Sequence, residues 1–117
     1  MSVAFEWLNR ANYNIAASAE AIVTGEASTV KVVNQILLHN PQSSTKWVKL
    51  YLVPASGGAV GTAADTNQFL EVTLAVNETY PINDISIILH TENDSLQAVC
   101  ETANNVNMLC FGEVQTS

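Results

Sequence analysis

Apolar and polar positions alternate with a period of two along much of this chain. In the run 46–52, Val48, Leu50 and Leu52 share one face, and Lys46, Lys49 and Tyr51 do not join them. Leu70, Val72, Leu74 and Val76 alternate with Phe69, Glu71, Thr73 and Ala75. A period of two with one apolar side is the pattern of a half-buried strand. The run Ile85–Leu89 is apolar almost throughout, which predicts a strand covered on both sides. Strands are expected at about 13–24, 30–40, 46–53, 69–76, 85–91, 95–103 and 106–114.

Breakers fall between these runs. Asn40-Pro41-Gln42-Ser43-Ser44 links two strands, because proline cannot donate to a ladder and biases the residue before it toward extended backbone. Asn77-Glu78-Thr79 and Asn83-Asp84 read as short turns. The longest gap, 54–68, holds Gly57, Gly58 and Gly61 and is expected to be mobile and exposed. In the closing stretch, Glu92-Asn93-Asp94-Ser95 and Asn104-Asn105 separate three apolar runs, the pattern of consecutive antiparallel strands joined by tight turns. Such spacing, with no helical period long enough for a βαβ crossover, predicts an all-β, antiparallel β-sandwich, jelly-roll or Ig-like, of about 7–8 strands. Residues 13–117 form that domain, and residues 1–12 stand apart as a short N-terminal arm. Its Val3, Phe5, Trp7 and Leu8 are apolar without a clear period, which suits a short helix or an extended segment.

Charge narrows the partners. Only 13% of residues are charged, about half the usual quarter, so there is little with which to solvate a surface. An oligomer or a component of an assembly is expected, part of its apolar surface being covered by a partner. The net charge is −7, with only Arg10, Lys31, Lys46 and Lys49 positive. Binding to nucleic acid or to an anionic membrane needs clustered cations, so neither partner is expected. The stretch that begins the chain carries Glu6 where a signal peptide would be basic, and a cytoplasmic origin is expected.

Candidate chemistry is sparse. His39 and His90 sit at strand ends, and metal sites need several clustered ligands, so no metal or cofactor is expected. The acidic residues are scattered, with no convergent pair for acid–base work, which argues against an enzyme. Asp84 and Asp94 read as turn residues bonded to nearby backbone. Cys100 and Cys110 lie ten apart. A two-residue Asn104-Asn105 loop would set Cys100 opposite Leu109, and a loop one residue longer would set it opposite Cys110. A cytoplasmic origin favours free, buried thiols. Phe5, Trp7, Leu8, Trp47 and Tyr51 are the candidate partner contacts, since aromatic rings are enriched at interfaces and can also stack on sugars.

Four segments carry a family resemblance: AIVTG (21–25), ILLHNPQSSTKWVKLYLVPASGG (36–58), LEVTLAVNETYPI (70–82) and ILHTENDSLQAVCETANNVNMLCFGEV (88–114). Together they resemble a group of small β-sandwich virion proteins of tailed bacteriophages. The chain departs from that pattern at Glu92-Asn93-Asp94, where a glycine before the aspartate is common, and at Asn77-Glu78, where Gly-Glu is common. The resemblance implies a structural protein without catalytic residues: a capsid decoration (cement) protein, made in the host cytoplasm and bound as a homotrimer to the major capsid protein on the capsid surface. The same group includes modules of neck, tail and fibre, so the alternative is a carbohydrate- or receptor-binding module there.

Overall fold

Val48, Leu50, Leu96, Ala98 and Cys100 all turn inward, as alternation on neighbouring strands requires, and meet Val33, Ile36, Leu38, Met108 and Cys110 from the opposite side. These residues are the two inner faces of a sandwich. The computed structural model describes residues 2–9 and 13–116. Among them nine strands form two antiparallel sheets: β1 (Ser2–Trp7), β2 (Glu20–Thr24), β3 (Thr29–His39), β4 (Lys46–Val53), β5 (Gln68–Leu74), β6 (Thr79–Ile82), β7 (Ile87–Leu89), β8 (Ser95–Cys100) and β9 (Asn107–Thr116). The first sheet runs β1-β9-β3-β6, with β7 also pairing β3, and the second runs β2-β8-β4-β5. The all-β, antiparallel, two-sheet expectation holds, with nine strands in place of about 7–8 because β1 and β6 were not among those expected.

Connectivity differs from the expectation. Among the described strands, β4 and β5 are the one consecutive pair that ladder together on a shared edge; β7, β8 and β9 alternate between sheets. The closing stretch is therefore not a run of hairpins, and Cys100 faces neither Leu109 nor Cys110 across a ladder. The physical reason is the place of β8 inside its sheet. Both of its edges are taken, one by β2 and one by β4, so none is left for β9. Residues 101–106 instead carry the chain across the sandwich, with Asn104 in the left-handed region (φ 64) and Val106 fully buried. Turn residues punctuate such arches as readily as hairpins.

Two further expectations change. The strand expected over 13–24 begins only at Glu20, because Tyr13–Ala16 crosses the end of the sandwich. There Ile15 N–H donates to Val106 O (2.9 Å) and Cys100 N–H to Ala16 O (2.9 Å). The turns at 77–79 and 83–84 flank a short strand, β6, whose Pro81 hid it. Of the two forms open to the N-terminal arm, Ser2–Trp7 takes the extended one, as β1 paired with β9 at every residue; Met1 and residues 10–12 lie outside the described residues.

The 54–68 segment is tied down rather than mobile. Ser56 and Ala59 bridge around Gly57 and Gly58, whose positive φ angles (57 and 80) are those of a tight hairpin turn. Asn93 Nδ2 donates to Gly58 O (2.9 Å), Gln97 Nε2 to Gly61 O (2.9 Å) and Ala55 N–H to Asp94 Oδ1 (2.8 Å). The segment folds over the outward side of β4 and β8, where Tyr51, Val53 and Gln97 are buried outside the interior cluster. Asp94 is thus a tether across the fold, beyond its expected role in its own turn.

Asn40 holds the β3–β4 connection to the end of β5. It is fully buried; Nδ2 reaches Ser44 O (3.0 Å), Ala75 O (3.1 Å) and Leu74 O (3.3 Å), and Oδ1 accepts from Gln42 N–H (3.0 Å). Asn40→Ala strands these groups without water and is expected to cost roughly 3 kcal/mol in chemical denaturation. A loss below about 1 kcal/mol would mean that the network is not needed.

Both cysteines are free and buried. Burial pushes the Cys110 thiol up to about 12, and burial likewise raises Cys100. The reactive thiolate is scarce and sealed off, so a thiol reagent near neutral pH should label neither in the native state and both after unfolding. Fast native labelling would contradict the burial.

Candidate docking surface

The outer face of the first sheet carries exposed apolar side chains on either side of Glu113 and Gln115. Along β1, residues Val3, Phe5 and Trp7 point away from the interior and are 50%, 76% and 57% exposed. Their cross-strand partners on β9 are Gln115, Glu113 and Phe111, and these in turn face Val30, Val32 and Gln35 on β3. Ile88 on β7 sits beside Val32 and is 55% exposed. The rings of Trp7 and Phe111 meet edge to face, with centroids 6.4 Å apart and planes at 73°. Large exposed apolar patches of this kind mark interaction surfaces more often than solvated ones.

β3 carries a bulge between Val33 and Gln35. A bulge adds one unpaired residue and bends its strand, here opening a shallow groove of about 390 Å³ between Asn34, Gln35, Phe5, Trp7 and Phe111. Gln35 is fixed by Nε2 donating to Asn83 Oδ1 (2.6 Å). Among the described residues this face carries no Lys or Arg. Lys46 and Lys49 lie on β4 in the other sheet. Lys31 turns inward at the rim, where Nζ donates to Thr24 O (2.7 Å) and Glu26 Oε1 (2.8 Å). That hydrogen bond, reinforced by the lysine charge, holds the Glu26 carboxyl below its usual range. A face of this composition suits an uncharged or mildly basic protein surface and disfavours an anionic polymer.

The five residues named from sequence go to three places. Phe5 and Trp7 stand on this face. Leu8 packs against the interior, its N–H donating to Cys110 O (2.8 Å). Trp47 is half-buried on the outward side of the second sheet, with Lys49 Nζ 5.1 Å from its ring centroid. Tyr51, 8% exposed, lies on the same side as the 54–67 cover, so Trp47 and Tyr51 do not form an open stacking platform. Sequence reasoning missed Val3, Val32, Ile88 and Phe111. Ile88 was hidden by reading its strand as covered on both sides; β7 is a three-residue strand with one side open. The available signal was an excess of apolar residues over what a one-sided strand needs.

His39 Nδ1 lies 2.9 Å from Thr79 Oγ1 at the sheet edge, and His90 is exposed. Among the described residues no three His, Cys, Asp or Glu side chains come together as a metal site. Comparison with protein-family models, curated proteins and solved structures finds no match to the chain.

Proposed function

We propose that this protein is a structural virion component of a tailed bacteriophage, a capsid decoration (cement) protein. It docks on the outer surface of the major capsid shell through the outer face of its first sheet and works by burial rather than chemistry. The observation that carries the reading is the outer face around Phe5, Trp7 and Ile88, which exposes large apolar side chains and, among the described residues, no cation. Many weakly held copies would brace the shell through avidity.

The order of strands supports the same reading. If β6 and β7 are taken as two halves of one strand on β3, the sheets become the interleaved pairs of a jelly roll, with β4–β5 as the single same-sheet hairpin. Jelly rolls build many viral capsid and lectin domains. Fold alone does not decide between those roles.

A second reading, a sugar- or receptor-binding module of a neck, tail or fibre, is favoured by one feature. The groove beside Trp7 and Phe111 combines aromatic rings with the amides of Asn34 and Gln35.

Quantitative mass spectrometry of purified phage particles separates the two. Hundreds of copies in fixed ratio to the major capsid protein are expected of a decoration protein. A dozen or fewer would favour the second reading, and none would overturn both.

A further inference from the structure

We infer that two copies of this chain pair edge to edge through β1, centred on Phe5, and so present one continuous docking face. The inference begins with the sheet edges. A free strand edge invites pairing, and most proteins guard it. Here β6 carries Pro81, β7 has three residues, and the pairings of β2 and β5 are each broken by a register shift. β1 has none of these. Its six residues pair in one unbroken register with β9, with neither proline nor lysine among them.

Hydrogen-bond parity then selects a register. Leu8 N–H donates to Cys110 O, one step beyond the Trp7–Phe111 pair. The even residues of β1 therefore turn their backbone groups toward β9, and Val3, Phe5 and Trp7 turn N–H and C=O to the open edge. A two-fold axis perpendicular to the sheet keeps outer side chains on the outer side. Centred on Phe5, it sets Phe5 opposite Phe5 and Val3 opposite Trp7, and uses all three open residues of each copy. Glu6 then faces Ala4 of the second copy. Centring on Glu6 would oppose two carboxylates, and centring on Ala4 would join only Val3 and Phe5 of the open residues within Ser2–Trp7. Glu6 thus rules out the Glu6-centred register, and the open hydrogen bonds favour a second copy centred on Phe5.

The result is a ten-stranded sheet, five from each copy, with the two apolar faces side by side. Pairing along one six-residue edge leaves the rings of Phe5 and Trp7 on the open face and buries well under the roughly 1,200 Å² at which specific stable interfaces begin, so a concentration-dependent dimer in the micromolar range is expected. The pairing does not rest on the docking reading, and it closes at two copies where the family resemblance implies three.

Sedimentation velocity on the full chain, over a concentration series into the hundreds of micromolar, is the test. The wild type should dimerise. Val3→Pro removes an N–H from the open edge without touching the β9 ladder, and should weaken the dimer about tenfold or more with unchanged circular dichroism. Register is read by oxidation. Opposed residues lie about 5.5 Å apart, within disulfide reach, so Phe5→Cys should cross-link to itself and Val3→Cys alone should not. A wild type that stays monomeric, a trimer, a dimer indifferent to Val3→Pro, or equal cross-linking by both cysteine variants would each overturn the pairing. A dimer that fails to bind particles would leave it standing and sink the docking reading alone.

Discussion

Gly112→Ala should unfold this protein or nearly so. A Cβ at Gly112 would lie 1.8 Å from Val32 O and 3.1 Å from Leu8 Cδ1. The first neighbour is backbone of the adjacent strand and cannot swing aside. Gly112 lies between Glu6 on β1 and Val33 on β3, just before the bulge of β3, so relief would require parting the central ladders of the first sheet. Overpacking of this severity is expected to cost roughly 3–5 kcal/mol, against a total stability of about 5–15 kcal/mol for a typical domain. For a domain of this size the midpoint should fall by about 15 °C, or soluble protein should be lost altogether. A variant that melts within about 3 °C of the wild type would show that the strands are spaced more loosely than described.

Phe5→Glu combined with Ile88→Glu should abolish docking while sparing the fold. Both side chains are more than half exposed, so the substitution places charge in water in the free protein. In the docked state the same carboxylates would be buried against a partner without paired cations. Each lost apolar anchor is worth about 2 kcal/mol, and burying a carboxylate adds to that, so affinity should fall at least about a hundredfold. Co-sedimentation with particles lacking the chain reads the loss, with thermal denaturation as the folding control. Phe69→Glu supplies a second control. It is 46% exposed on β5 of the other sheet and should bind as the wild type does. Equal binding by all three proteins would remove the outer face from the account.

The alternation of β3, β4 and β5 made these strands legible, because each has one apolar side and turn residues at both ends. The two-sheet arrangement followed from their spacing. What could not be read was which strand meets which. Asn104-Asn105 and Glu92-Asn93-Asp94 look alike whether the chain turns back on itself or crosses to the opposite sheet, and only the pairing of both edges of β8 with β2 and β4 decides it. Pro81 disguised β6. The period of two in Val3, Phe5 and Trp7 was present but ended at Leu8, which turns inward, so the segment looked irregular. Periodicity also carries no sign: it groups Phe5 with Trp7 without saying that their side faces solvent. The candidate face was therefore only partly visible, through two aromatic residues on β1. Val32, Ile88 and Phe111 joined it once β1, β9, β3 and β7 were seen to lie side by side. Tyr51 left the candidate set for the opposite reason, since nothing local announces that the 54–67 segment folds over its strand.

The two tryptophans report the two outward sides of the sandwich, Trp7 the first sheet and Trp47 the second. Hydroxyl-radical footprinting of the chain, free and on purified phage particles, therefore tests the docking face most directly. Trp7 should be oxidised readily in the free chain and protected on the particle, with Trp47 changing little. Protection of Trp47 with Trp7 left open would mean that the protein docks by its other side, and would contradict the account.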